Sequence, residues 1–208
     1  MRDGRGETTG AESHAQAVGL ARGRGRAHAL ELVLDEVGEQ AVRTSWAALA
    51  AGGVPSLMRH TGATHRPHVT VLSGPPPPEK ALRLAAEAIG GLLPVDLRVS
   101  GLGLLGRPGW STLVELVTPP IALLGVRARL VELWPGADPR PWLPHLTLAQ
   151  RLSPEAVATA LSLLAQASAG ERSAERATSS PAGEGIRRVV GLRWWNPEQD
   201  RVLMLAGG

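Results

Sequence analysis

Apolar residues recur along this chain with two periods, and the periods take turns. The run HALELVLD (28–35) reads as a buried strand. Residues 36–51 switch to helical spacing, with Val37, Ala41, Val42, Trp46 and Leu49 on one stripe and Gly52 and Gly53 as a stop. A strand HVTVL follows at 68–72, and Pro75 to Pro78 break the chain before a helix over about 79–93. That helix carries Leu82, Ala85, Ala86, Ile89 and Leu92 on one side. VDLRVSGLGLLG supplies one or two strands.

The same order then returns. STLVELV (111–117) is a strand, and Thr118 and Pro119 read as an N-cap with proline at the first helical position. The helix runs to about Leu133 with Ile121, Leu124, Ala128 and Val131 on one face, and Trp134-Pro135-Gly136 stops it. The strand HLTLA comes next, and Ser153-Pro154-Glu155 opens a last helix carrying Val157, Leu161, Leu164 and Ser168. Residues 169–185, polar and poor in apolar positions, read as a flexible connector. The end, RRVVGLRWW-NPEQD-RVLMLA, reads as a hairpin with Trp194 and Trp195 on opposite faces, one inward and one free. Residues 1–26, rich in Gly, Arg and small polar residues, are expected to be a disordered leader, and 27–208 a single domain.

Composition narrows the function. At 43% hydrophobic the chain can build a core, and no apolar run reaches the roughly 18 residues of a membrane span. A cytoplasmic location is the expectation, with no membrane partner. Cysteine is absent, which removes disulfides, thiolate nucleophiles and cysteine-zinc sites. The pI near 10.8 reflects the absence of Tyr and Cys and an arginine-dominated cation set, in which Lys80 is the sole lysine. A net charge of +3 suits an anionic substrate without demanding a polyanion. With no Phe or Tyr, any stacking on a base falls to Trp, His or an Arg plane.

The two repeats each centre on one motif: PHVTVL at 67–72 and PHLTLA at 144–149. On a strand His68 and Thr70 share a face while Val69 and Val71 take the other, and His145 and Thr147 share a face opposite Leu146 and Leu148. The stiff χ1 of threonine holds its hydroxyl in place. If the strands meet across a pseudo-twofold axis, two imidazoles and two hydroxyls converge. One neutral imidazole can take a proton from a nucleophile while the other, protonated, gives one to a leaving oxygen. The ordinary pKa of histidine, about 6.5, makes both forms available near neutrality. The hydroxyls suit the non-bridging oxygens of a phosphate, and neither metal nor cofactor is required. His60, His65 and His68 have no cysteine or acidic neighbour and fit no common zinc spacing. His14 and His28 are expected to be solvated.

The paired motifs and the β-α-β order around each resemble the two-histidine (2H) phosphoesterase superfamily, which includes 2′-5′ RNA ligase-like proteins and 2′,3′-cyclic nucleotide phosphodiesterases. The resemblance spans about residues 28–206. It implies a bilobal α+β fold in which two antiparallel sheets face each other across a central cleft, with helices outside. It implies that His68 and His145 are the catalytic pair and that Thr70 and Thr147 bind phosphate. The expected activity is hydrolysis of a 2′,3′-cyclic phosphate, or reversible joining and cleavage of 2′-5′ linkages, in RNA or nucleotides, by a monomer. The alternative is a module that binds a nucleotide or RNA end without turnover. Many relatives carry a basic residue directly after the second motif; here Gln150 stands there and Arg151 comes one later. Arg151 is a possible phosphate contact, and Trp142 a possible base-stacking surface.

Overall fold

The computed structural model describes residues 27–59, 62, 65–107, 109–178 and 185–208; the leader 1–26, and His14 and His60, lie outside them. The expected alternation is present. In chain order the elements are β1 (His28–Leu34), α1 (Glu36–Ala51), β2 (His68–Gly74), α2 (Glu79–Gly90), β3 (Val95–Arg107), β4 (Trp110–Thr118), α3 (Ile121–Leu133), β5 (His145–Leu152), α4 (Pro154–Thr178), β6 (Ile186–Asn196) and β7 (Arg201–Gly207). The repeat is therefore β1-α1-β2-α2 followed by β4-α3-β5-α4. The fold is α+β, and all its strand pairs are antiparallel. No helix among the described residues is long and apolar enough to cross a membrane.

The two expected sheets are one. The strand order is β2-β1-β6-β3-β4-β5, with β7 pairing β6. The join is β3, which is long enough to serve both halves. Its first residues, Val95–Arg98, pair with Ile186–Val189 of β6, and from Arg98 onward it pairs with β4. β2 and β5, the two ends of this path, nevertheless meet. The sheet is thus folded back so that its two motif strands face one another. The helices repeat the exchange: α1 packs on α4 and α2 on α3. A single apolar cluster draws on both halves, including Leu30, Trp46, Val69, Leu113, Leu146 and Leu192.

Several helix ends and faces differ from the sequence reading; Val37 of α1 and Leu161 of α4, for example, are exposed. α3 begins at Ile121 after Pro120, not at Pro119 with Thr118 as its cap; consecutive prolines push the preceding backbone extended. Thr118 stays in β4, its hydroxyl 2.6 Å from that of Ser100. α3 buries Leu123 and Leu130 and turns Ile121 and Leu124 outward. Apolar on nearly every side, its sequence did not select a face. α4 continues to Thr178, ten residues into the stretch expected to be a connector. Ala, Glu and Arg dominate there, and all three are good helix formers even without an apolar stripe. Trp194 and Trp195 are both half-buried. His28 is buried rather than solvated, its ring stacked on Trp194 at 5.7 Å, because it opens β1 opposite Gly74 instead of trailing from the leader.

Candidate functional site: two opposed His-x-Thr strands

Each motif strand buries its aliphatic residues fully and leaves His and Thr half-exposed, as period-two alternation demands. The threonines are followed by the same irregularity. In β2, Glu31 pairs Thr70 and Leu30 pairs Leu72, so Val71 is an extra residue. In β5, Val114 pairs Thr147 and Leu113 pairs Ala149, so Leu148 is the extra one. A bulge of one residue bends its strand and re-aims the side chains beside it. Its appearance three residues after each histidine ends the exposed His-x-Thr pair and sends the following residue into the core. The buried prolines Pro67 and Pro144 fix the entry to both strands.

The histidines are oriented alike. His68 Nδ1–H donates to the Arg66 carbonyl at 2.8 Å, and His145 Nδ1–H donates to the Leu143 carbonyl at 2.7 Å. A carbonyl only accepts, so Nδ1 carries a proton, and Nε2 is the nitrogen left for chemistry. The strands are then locked to each other by tryptophans exchanged between halves. Trp46, buried in α1, donates its indole N–H to the Thr147 carbonyl at 2.9 Å. Trp142, just before β5, donates to the Thr70 carbonyl at 2.8 Å. Each motif threonine is anchored from the opposite half of the repeat.

This packing pairs the motifs crosswise. A cavity of about 510 Å³ is lined by Thr70, Ser73, Arg127, Arg140, Trp142 and His145, among others. A smaller recess is lined by His68, Thr147, Trp46 and His65, among others. Thr70 and His145 thus line one recess and His68 and Thr147 the other, so each motif's threonine shares a recess with the other motif's histidine. Trp142 lines the larger cavity, with Arg127 Cζ 6.0 Å from its ring centre. Arg151 does not join them: it has a left-handed backbone (φ 61°), and its guanidinium lies over Trp110 at 5.9 Å.

Several polar residues at the site were not anticipated. Arg127, from α3, donates to the carbonyls of Val71, Asp138 and Arg140. Burial pulls its pKa down from the ordinary arginine value, and neighbouring Asp138 counters that. Asp138 is itself held below the usual carboxylate range, chiefly by hydrogen bonds from Arg140. The cavity wall thus presents two guanidinium groups and one carboxylate. On the His68 side, Glu31 Oε1 lies 3.5 Å from His68 Nε2, and Arg193 Nε donates to Glu31 Oε2 at 2.8 Å. Arginine in a mixed helix and a glutamate inside an apolar strand carry no local pattern that marks them for a cleft.

His65 stacks on Trp46 at 5.1 Å, and its Nε2 is 3.1 Å from the Leu57 carbonyl. It is thus used in packing, whereas His68 faces Glu31. Among the described residues no group of three or more His, Asp or Glu is arranged to hold a metal ion.

This geometry defines a class: α+β proteins built from a duplicated unit whose two His-x-Thr strands oppose each other. The 2′-5′ RNA ligase superfamily matches residues 37–178, more than half of the sequence, and the chain belongs to that superfamily. Among solved structures it is similar to Usb1 of Kluyveromyces marxianus, at 15% identity and a TM-score of 0.51, over 88% of this chain and 98% of that one. It is similarly related to Kluyveromyces marxianus Usb1 with uridine monophosphate: 18% identity, TM-score 0.52, 86% and 98% covered. At these identities the likeness speaks for the fold. No curated protein sequence matches the chain.

Proposed function

We propose that this protein is a phosphodiesterase that opens 2′,3′-cyclic phosphates in RNA or nucleotides by two-histidine acid–base catalysis, without a metal ion. The observation that carries the reading is the crosswise pairing of Thr70 with His145 and of His68 with Thr147, both rings held by Nδ1. Membership of the superfamily supports the phosphoester chemistry. The Usb1 structure with uridine monophosphate supports a nucleotide-sized occupant. Here the 510 Å³ cavity, with Trp142 and two guanidinium groups against one carboxylate, is large enough for a nucleoside phosphate and carries a net positive charge to meet it.

A phosphate centred between the strands would take hydrogen bonds from the Thr70 and Thr147 hydroxyls on its non-bridging oxygens. One imidazole accepts the proton of an incoming water as its oxygen bonds to phosphorus. The other gives a proton to the departing ribose oxygen, so the ring opens to a phosphomonoester. With a 5′-hydroxyl in place of water, the same groups would form a 2′-5′ linkage as the 3′ oxygen departs, and the same steps in reverse would cleave it. Both proton transfers are supplied by side chains, so the mechanism has no step that calls for a metal.

The test is turnover of a 2′,3′-cyclic mononucleotide in EDTA across pH. The proposal expects a bell-shaped kcat/KM profile that persists in EDTA. Loss of activity in EDTA with recovery on adding a divalent cation would overturn the mechanism. Nucleotide binding with no turnover would identify a binding module.

A further inference from the structure

Beside the two motifs, one pair of equivalent positions differs sharply in charge. Glu31 pairs Thr70 and Val114 pairs Thr147, each on the strand beside a motif and next to its bulge. The two positions are equivalent, yet one holds a buried carboxylate and the other a valine. Glu31 is 6% exposed and its partner Arg193 is 4% exposed. Burying an ion pair is costly where an apolar residue fits, and Val114 shows that one fits in the twin position. Packing alone does not account for Glu31.

Its neighbours do. His68 stands between two acceptors, the Arg66 carbonyl at Nδ1 and the Glu31 carboxylate at Nε2, and only the imidazolium has two N–H donors to offer them. His145 has the Leu143 carbonyl at Nδ1, and among the described residues no carboxylate pairs with its ring. Arg193 balances the Glu31 charge, so the carboxylate can stand near a phosphate without repelling it. Both Glu31 and Arg193 lie outside residues 37–178, the segment that matches the superfamily.

We infer that Glu31, set by Arg193, is a positioning residue that makes His68 the proton donor and leaves His145 as the proton acceptor in opening the cyclic phosphate. The inference rests on the phosphodiesterase reading above. In that step His145 Nε2 takes a proton from water as the new P–O bond forms. The bond from phosphorus to the ribose oxygen breaks, and His68 Nε2–H protonates that oxygen. Proton exchange with solvent then restores both rings. At 3.5 Å the contact with Glu31 is longer than an ordinary hydrogen bond, so Nε2–H is also open to the leaving oxygen.

Leaving-group dependence separates these roles. Uridine 2′,3′-cyclic phosphate needs its leaving oxygen protonated; thymidine 5′-(4-nitrophenyl phosphate) does not, and it lacks a 2′-hydroxyl, so water must attack. Glu31→Gln is expected to lower kcat about tenfold on the cyclic substrate and His68→Ala about 100-fold or more, with either losing less than about threefold on the nitrophenyl ester. His145→Ala should disable both reactions. Because Glu31→Gln strands the Arg193 charge, the double variant Glu31→Gln/Arg193→Gln is measured beside it, with thermal midpoints for both; it should show the same substrate-selective loss. Equal losses on the two substrates, or a nitrophenyl ester spared by His145→Ala instead, would overturn the inference while leaving the phosphodiesterase reading intact. A wild type that turns over neither substrate would bring down that reading, and the inference with it.

Discussion

The four motif side chains owe their positions to groups that do no chemistry. A carbonyl two residues back holds each imidazole, and an indole from the opposite half holds each threonine's backbone. The hydroxyls, by contrast, are the groups that the proposed mechanism assigns to phosphate. Thr70→Val or Thr147→Val keeps the branched shape and removes only the donor, so either should lower kcat/KM about 100-fold while the thermal midpoint stays within a few degrees. A valine variant with wild-type kinetics would remove that threonine from the phosphate site. Arg151 is the converse case. Sequence position makes it a candidate, but a left-handed residue late in β5 carries it to Trp110 instead. Arg151→Ala is therefore expected to change kcat/KM by no more than about threefold.

At the scale of elements, the motifs were legible because strand alternation writes itself as a period of two, and because duplication wrote it twice. The helix starts were less so. Thr118 has the chemistry of a cap, yet Pro119 and Pro120 displace the start of α3 to Ile121. Glu31 and Arg193 escaped notice because their meaning comes from register between β1 and β6, far apart in sequence. The same holds for Glu39, whose carboxylate reaches from α1 to Arg66 at 2.7 Å, beside the first motif, as well as to Arg43. Burial pushes the Glu39 carboxyl up, but hydrogen bonds from both arginines outweigh it and leave the pKa below its ordinary value of 4.5. A lowered native pKa means stability that is fully present above the ordinary value and is lost as pH falls through the native one. Urea midpoints of wild type should thus fall on acidification below about pH 4.5, and Glu39→Gln should flatten that fall. Parallel profiles for the two proteins would show that Glu39 makes no contribution. Trp46→Phe removes the indole donor to the partly buried Thr147 carbonyl, at an expected cost of about 1–3 kcal/mol in the urea-derived unfolding free energy.

The molecule as a whole departs from the two-sheet arrangement that the repeat suggests. Duplication predicts two equal halves, and the halves are there, but β6 and β3 join them into one sheet. No local pattern in the C-terminal hairpin says that β6 will enter between β1 and β3. With one sheet and one apolar cluster, the halves should unfold together. Far-ultraviolet circular dichroism and tryptophan fluorescence are expected to report a single coincident urea transition; two separated transitions would mean that the halves are independent.

The central claim is that His68 and His145 act together on one phosphorus, and the most direct measurement is kcat/KM on a 2′,3′-cyclic mononucleotide for His68→Ala, His145→Ala and the double variant. Groups that work as a unit are strongly non-additive. Each single variant should lose about 100-fold or more, and the double should be little worse than the poorer single. Losses that multiply, or a single variant that retains wild-type turnover, would contradict the account.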